Sequence, residues 1–166
     1  MVGLCQEGER AAVVLGAARV ELALEDAIKI VLRPNPGGSD DLFEGDRPLS
    51  TFSAKICFAY RLSLIENNLE RALQLLRKIR NEFAHSHEKL TLSSGAAASR
   101  LRELQRLCEV NPTYKIFGEQ FGSAAFPPEL KLFAQCIASI LTSLEAAKFF
   151  IVPYVLRQKT DLGKTT

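Results

Sequence analysis

The chain has 166 residues, 47% of them apolar and 24% charged, which is enough for one domain with a substantial core and too short for two comfortable ones. A net charge of +2 excludes a domain-wide positive field, so a nucleic acid or an acidic membrane could be met only through a local patch. Cys5, Cys57, Cys108 and Cys136 stand far apart with no Cys-x-x-Cys pair, and only two histidines supplement them. That excludes a disulfide scaffold and structural zinc, and it fits a reducing cytoplasm.

The N-terminus places Glu7, Glu9 and Arg10 before its apolar stretch, where a secretory signal would carry basic charge, and Gly3 is one position late for myristoylation; no targeting segment is expected. From about Glu9 to Leu32, Val13, Gly16/Ala17, Val20, Leu24, Ala27/Ile28 and Val31 recur at helical spacing, predicting an amphipathic helix that Pro34 ends. A polar, acidic loop follows. Ser50 is the expected N-cap of a helix through Phe52, Ile56, Tyr60 and Leu64, and Asn67 or Asn68 starts the next. That third helix turns Leu69, Leu73, Leu76, Ile79/Arg80 and Phe83 inward.

Residues 93–98 read as a loop of small residues, leading to a short helix with Leu101, Leu104 and Leu107/Cys108 inside. Residues 109–126 contain Pro112, Gly118 and Gly122 without a sustained period and read as a loop with a short turn of helix or an excursion under the bundle. Pro127-Pro128 opens a last helix whose Leu130, Phe133, Ile137, Ile140, Leu144, Ala147, Ile151 and Tyr154 form an unbroken stripe, predicted to be a bundle or dimer seam. Glu145 and Lys148 interrupt its apolar run before the roughly 20 residues a bilayer requires, so a core helix rather than a membrane span is expected. Pro153 should kink or fray the helix end. The expected fold is all-α, a single bundle of about five helices over residues 1–156, with 157–166 a flexible tail.

The densest chemistry is Arg77-Lys78-Ile79-Arg80-Asn81-Glu82-Phe83-Ala84-His85-Ser86-His87, at the end of the third helix. One reading is structural: Arg80 pairs with Glu21 or Glu25 of the first helix, while Asn81 and His85 cap the terminal carbonyls. The other is catalytic. In a metal-independent ribonuclease a histidine moves the 2'-hydroxyl proton while an arginine fork holds the phosphate. On an ideal helix Arg80 and His85 stand about 140° apart, so one chain does not assemble them unless the helix ends early or a second copy completes the site. Asn81, four residues before His85, does share its face. His87 is expected to be a solvated loop residue. Lys55, near the inward face of its helix, calls for an acidic partner. Arg71, Arg77 and Lys78, with Arg100, Arg102 and Arg106, are the only basic clusters able to contact nucleic-acid phosphates. No Gly-rich phosphate loop follows a strand and no metal-ligand set is present, so neither cofactor nor metal is expected.

Three blocks carry a family resemblance: Glu44-Gly45-Asp46-Arg47-Pro48-Leu49-Ser50-Thr51-Phe52-Ser53-Ala54-Lys55-Ile56, Ala59-Tyr60-Arg61-Leu62-Ser63-Leu64-Ile65, and Ile79-Arg80-Asn81-Glu82-Phe83-Ala84-His85. With Ala18-Arg19-Val20-Glu21 they resemble the bacterial mannitol operon repressor family over roughly residues 15 to 90. The resemblance implies an all-helical, cytoplasmic transcriptional regulator without a helix-turn-helix, a non-enzyme that acts through DNA or a partner protein. A shorter likeness, Arg80-Asn81 followed by His85, is similar to the signature of HEPN domains and implies, as an alternative, a ribonuclease or an RNA-binding component of a toxin–antitoxin system. A helical oligomeric scaffold is the third expectation. A homodimer formed through the C-terminal helix, without membrane attachment, is expected.

Overall fold

In a computed structural model of the protein, residues 8–35, 37, 41–86, 90–122 and 125–151 are described. Among them are six helices and no strand: α1 (Glu9–Val31), α2 (Phe52–Arg61), α3 (Asn67–His85), α4 (Gly95–Cys108), α5 (Thr113–Gly122) and α6 (Pro128–Phe150). His87, the Pro153 kink, Tyr154 and the 157–166 tail lie outside the described residues.

Four of the helices close a ring. α1 packs on α3, α3 on α4, α4 on α6, and α6 back on α1; α2 braces α1 and α3, while α5 lies on α6. The period that builds each helix also fills the centre, where Val13, Val20, Leu24 and Ile28 of α1 meet one continuous apolar cluster containing Leu73, Leu76, Ile79 and Phe83 of α3. Gly16 lets α1 approach α6 closely: a Cβ there would stand 3.2 Å from a ring carbon of the buried Phe133. Gly16→Val should therefore overpack the α1–α6 contact and cost about 1–3 kcal/mol, read as a lower midpoint in urea.

The ends follow local chemistry. Thr51, not Ser50, is the N-cap of α2: its hydroxyl accepts from the Ala54 amide at 3.2 Å, which places the cap one residue later than expected. α4 begins at Gly95, inside the stretch expected to be loop, with Ala97 and Ala98 buried. The additional helix, α5, occupies the segment expected to lack a sustained helix. Asn111 starts it, its Oδ1 accepting from the Thr113 amide at 2.9 Å and hydroxyl at 2.8 Å, while its Nδ2 donates to Ser143 Oγ of α6 at 2.6 Å. Tyr114 and Phe121 are buried, so the segment does have an inward face.

α6 is long and apolar enough to cross a membrane, yet 50% of that window is buried inside the molecule. Its stripe from Leu130 through Phe133, Ile137 and Ile140 to Leu144 is no more than 2% exposed. That stripe serves the chain's own bundle. The helix stops at Phe150, and Ile151 is extended.

Candidate functional site

The residues expected to form one polar network divide into two sites. Lys55, 5% exposed, projects from α2 to the α1 carboxylates, its Nζ 2.9 Å from Glu21 Oε1 and 2.8 Å from Glu25 Oε2. Lys29 completes the group at 2.6 Å from Glu25 Oε1 and lies 4.9 Å from the Phe43 ring centroid. Two cations and two anions thus balance, and the buried ammonium is compensated. Burial pushes the Glu25 carboxyl up, but hydrogen bonds from Lys29 and Lys55 outweigh it and hold the group below its ordinary range. Burial depresses Lys55 in turn, but hydrogen bonds and charge from Glu25 and Glu21 outweigh that and raise it above the ordinary lysine value.

Arg80 does not belong to this group. The carboxylates expected to receive it are engaged by Lys55, and the half-buried Arg80 instead donates from Nη1 to Asn81 Oδ1 at 3.1 Å. Among the described residues it has no ion-pair partner. Nor do Asn81 and His85 cap the helix end together: Asn81 is turned to Arg80, and His85 is exposed. The Ser86 carbonyl receives Arg10 of α1 at 2.8 Å, and the Leu92 amide donates to Glu9 at 2.8 Å, so the connection after α3 is anchored to the N-terminal turn of α1. The Arg80–Asn81 pair and His85 share one helix end without a hydrogen bond between them.

The expected phosphate contacts also separate. Arg71 of α3 and Arg102 and Arg106 of α4 line one cleft of about 420 Å³, together with Ser99, Glu103 and Leu107. The carboxylate there is held loosely, at 3.5 Å from Arg71, with both side chains about half exposed (53% and 51%). Such a pair contributes little and exchanges readily for another anion. Arg100 points elsewhere, paired with the half-buried Glu82, and Arg77 donates to Gln74 at 3.1 Å. Lys78 is exposed and outside the cleft. The Glu82–Arg100 link between α3 and α4 takes Arg100 out of the second basic cluster, a pairing that the sequence reading did not include. Its signal was the carboxylate within the basic run.

No group of His, Cys, Asp and Glu suited to a metal occurs among the described residues. Cys108 and Cys136 lie together in the core, where Cys108 Sγ is 3.9 Å from the Cys136 carbonyl oxygen. The hydrogen bond with Cys108, together with burial, pushes the Cys136 thiol up, away from the reactive thiolate. Tyr114, beside them, is also raised, by burial first and by the nearby Cys136 and Glu109. The chain finds no match among protein-family models, among curated proteins or among solved structures.

Proposed function

We propose that this protein is a helical regulator that acts by binding rather than by catalysis, and that its α3–α4 face contacts DNA phosphates. The observation that supports the reading is the convergence of Arg71, Arg102 and Arg106 on one cleft with a single, weakly held carboxylate. Arginine forks suit phosphate oxygens, and three of them on two adjoining helices form a local patch on a nearly neutral chain. Such contacts position a duplex without reading its bases, so sequence choice would come from DNA shape or from a partner protein. The resemblance to the mannitol operon repressors agrees with a regulator that has no reading helix.

A second reading is favoured by one specific observation. Arg80 has no carboxylate partner among the described residues and shares a helix end with the exposed His85, as a HEPN-type ribonuclease would need once a second copy brought the groups together.

One titration separates the two. The regulator should bind duplex DNA with an affinity that falls on a log–log salt plot with a slope of roughly −2 to −3, and Arg102→Ala or Arg106→Ala should each reduce that slope by about 1. Duplex binding that is absent at low salt, accompanied by cleavage of single-stranded RNA in the presence of chelator that His85→Ala abolishes, would replace the first reading with the second.

A further inference from the structure

A cavity of about 560 Å³ opens at one end of the bundle, between the α2–α3 connection, the C-terminal turn of α4 and the last turns of α6. Its walls are mostly apolar, among them Leu64, Leu69, Leu107 and Ile140, and Glu66 is the one charged residue lining it. Phe150 stands on the rim and is 87% exposed, next to Phe149 at 89%; Val110, also on the rim, is 68% exposed. The rim contains Ser63, the one non-glycine among the described residues with a left-handed backbone (φ 56°).

We infer that this end of the bundle is a self-association surface, and that its occupant is a second copy of the same chain related by a twofold axis. A projecting ring and a recess on one patch are what an isologous contact requires, since Phe150 of each copy meets the cavity of the other. The scarcity of charge suits such an approach and disfavours a nucleic acid or an acidic partner, which would be met by cations.

Area supports the assignment. A phenylalanine carries roughly 150–250 Å² of surface, so the two Phe150 rings, one from each copy, remove about 300–500 Å² from water, about a third of the roughly 1,200 Å² that stable interfaces bury. Val110, Leu62 at 42% exposure and the cavity walls are placed to supply the remainder. Of the buried stripe from Leu130 to Leu144, only Ile140 reaches the cavity wall. A dimer through the C-terminal helix would therefore use its last turns and not the length of the stripe. The inference stands independently of the DNA-binding reading.

The test is sedimentation equilibrium of the full chain. At about 10 µM the wild type should be dimeric, and Phe150→Asp and Val110→Asp, on opposite sides of the contact, should each weaken association by about 100-fold or more with unchanged circular dichroism. Leu22→Asp, at an exposed α1 position outside the patch, should leave the dimer intact. A monomeric wild type overturns the inference and leaves the recess to another occupant, residues 152–166 of the same chain included. A dimer unchanged by both substitutions overturns it as well, by placing the contact on another surface.

Discussion

Lys55→Met lowers the midpoint of thermal unfolding by roughly 6–12 °C, the largest effect expected from a single polar residue, because removing one member of a buried ion group costs about 3 kcal/mol or more. The methionine fills the apolar part of the space, so the loss is electrostatic. Glu21 keeps no ion-pair partner among the described residues and Glu25 keeps Lys29 alone. The side chains of these carboxylates are 20% and 14% exposed, which lets some solvent compensate and holds the cost near the lower end of that class.

The same group sets the pH limits. Glu25 has a lowered folded pKa, so its contribution is present above the unfolded carboxylate value and is lost as pH falls through the lowered one. Lys55 has a raised folded pKa, so its contribution is fully present below the ordinary lysine value and is lost as pH rises through the raised one. Stability therefore has a plateau through neutral pH with an acid and an alkaline edge. In Lys55→Met the alkaline edge due to Lys55 should disappear and the acid edge should move upward, measured as denaturation midpoint against pH. An unchanged profile would exclude the ion group as its source.

Phe83→Ala should be the most damaging change in the motif at the end of α3, at about 3–5 kcal/mol, because the ring is fully buried and its removal leaves a cavity among close-packed neighbours. Arg80→Ala and His85→Ala, by contrast, should each cost less than about 1 kcal/mol, since one makes a single hydrogen bond to its neighbour in sequence and the other is exposed. Urea denaturation of the three variants ranks them directly. If Arg80→Ala were as damaging as Phe83→Ala, the arginine would have to carry a structural role that its contacts do not account for.

How far the sequence could be read depended on whether a feature was local. Helical spacing located α1, α3 and the start of α6 to within a residue or two, because one inward stripe repeats over about four or more turns in each; the expected run of α6 through Ile151 ends instead at Phe150. α5 was hidden because Pro112, Gly118 and Gly122 look like breakers. The proline precedes the helix, and the inward face comes from the less obvious set Tyr114, Phe117 and Phe121. Lys55 could be recognised as needing an acidic partner, since a lysine on an inward face must be compensated. Which of Lys55 and Arg80 would take Glu21 and Glu25 could not, since both candidates have the right charge and only the packing of α2 across α1 decides between them. Arg71, Arg102 and Arg106 stand among the six cations offered as phosphate contacts, but the division of that set between the cleft, Glu82 and Gln74 depends on helix rotations that sequence spacing does not determine.

The ring closes between its first and last helices, and that has a consequence for the order in which the protein is made. α1 leaves the ribosome first, with Gly16 and its apolar neighbours shaped for Phe133 and Ile137, more than 100 residues downstream. α2 and α3 can cover part of α1 as they emerge, but the side that receives α6 stays open until α6 itself has been synthesised. At elongation rates of about 5–20 residues per second the nascent protein exposes that strip for seconds, long enough for a holding chaperone to bind. The half-made chain is thus more prone to aggregate than the finished one, and slow translation of the segment before α6 would lengthen the exposure.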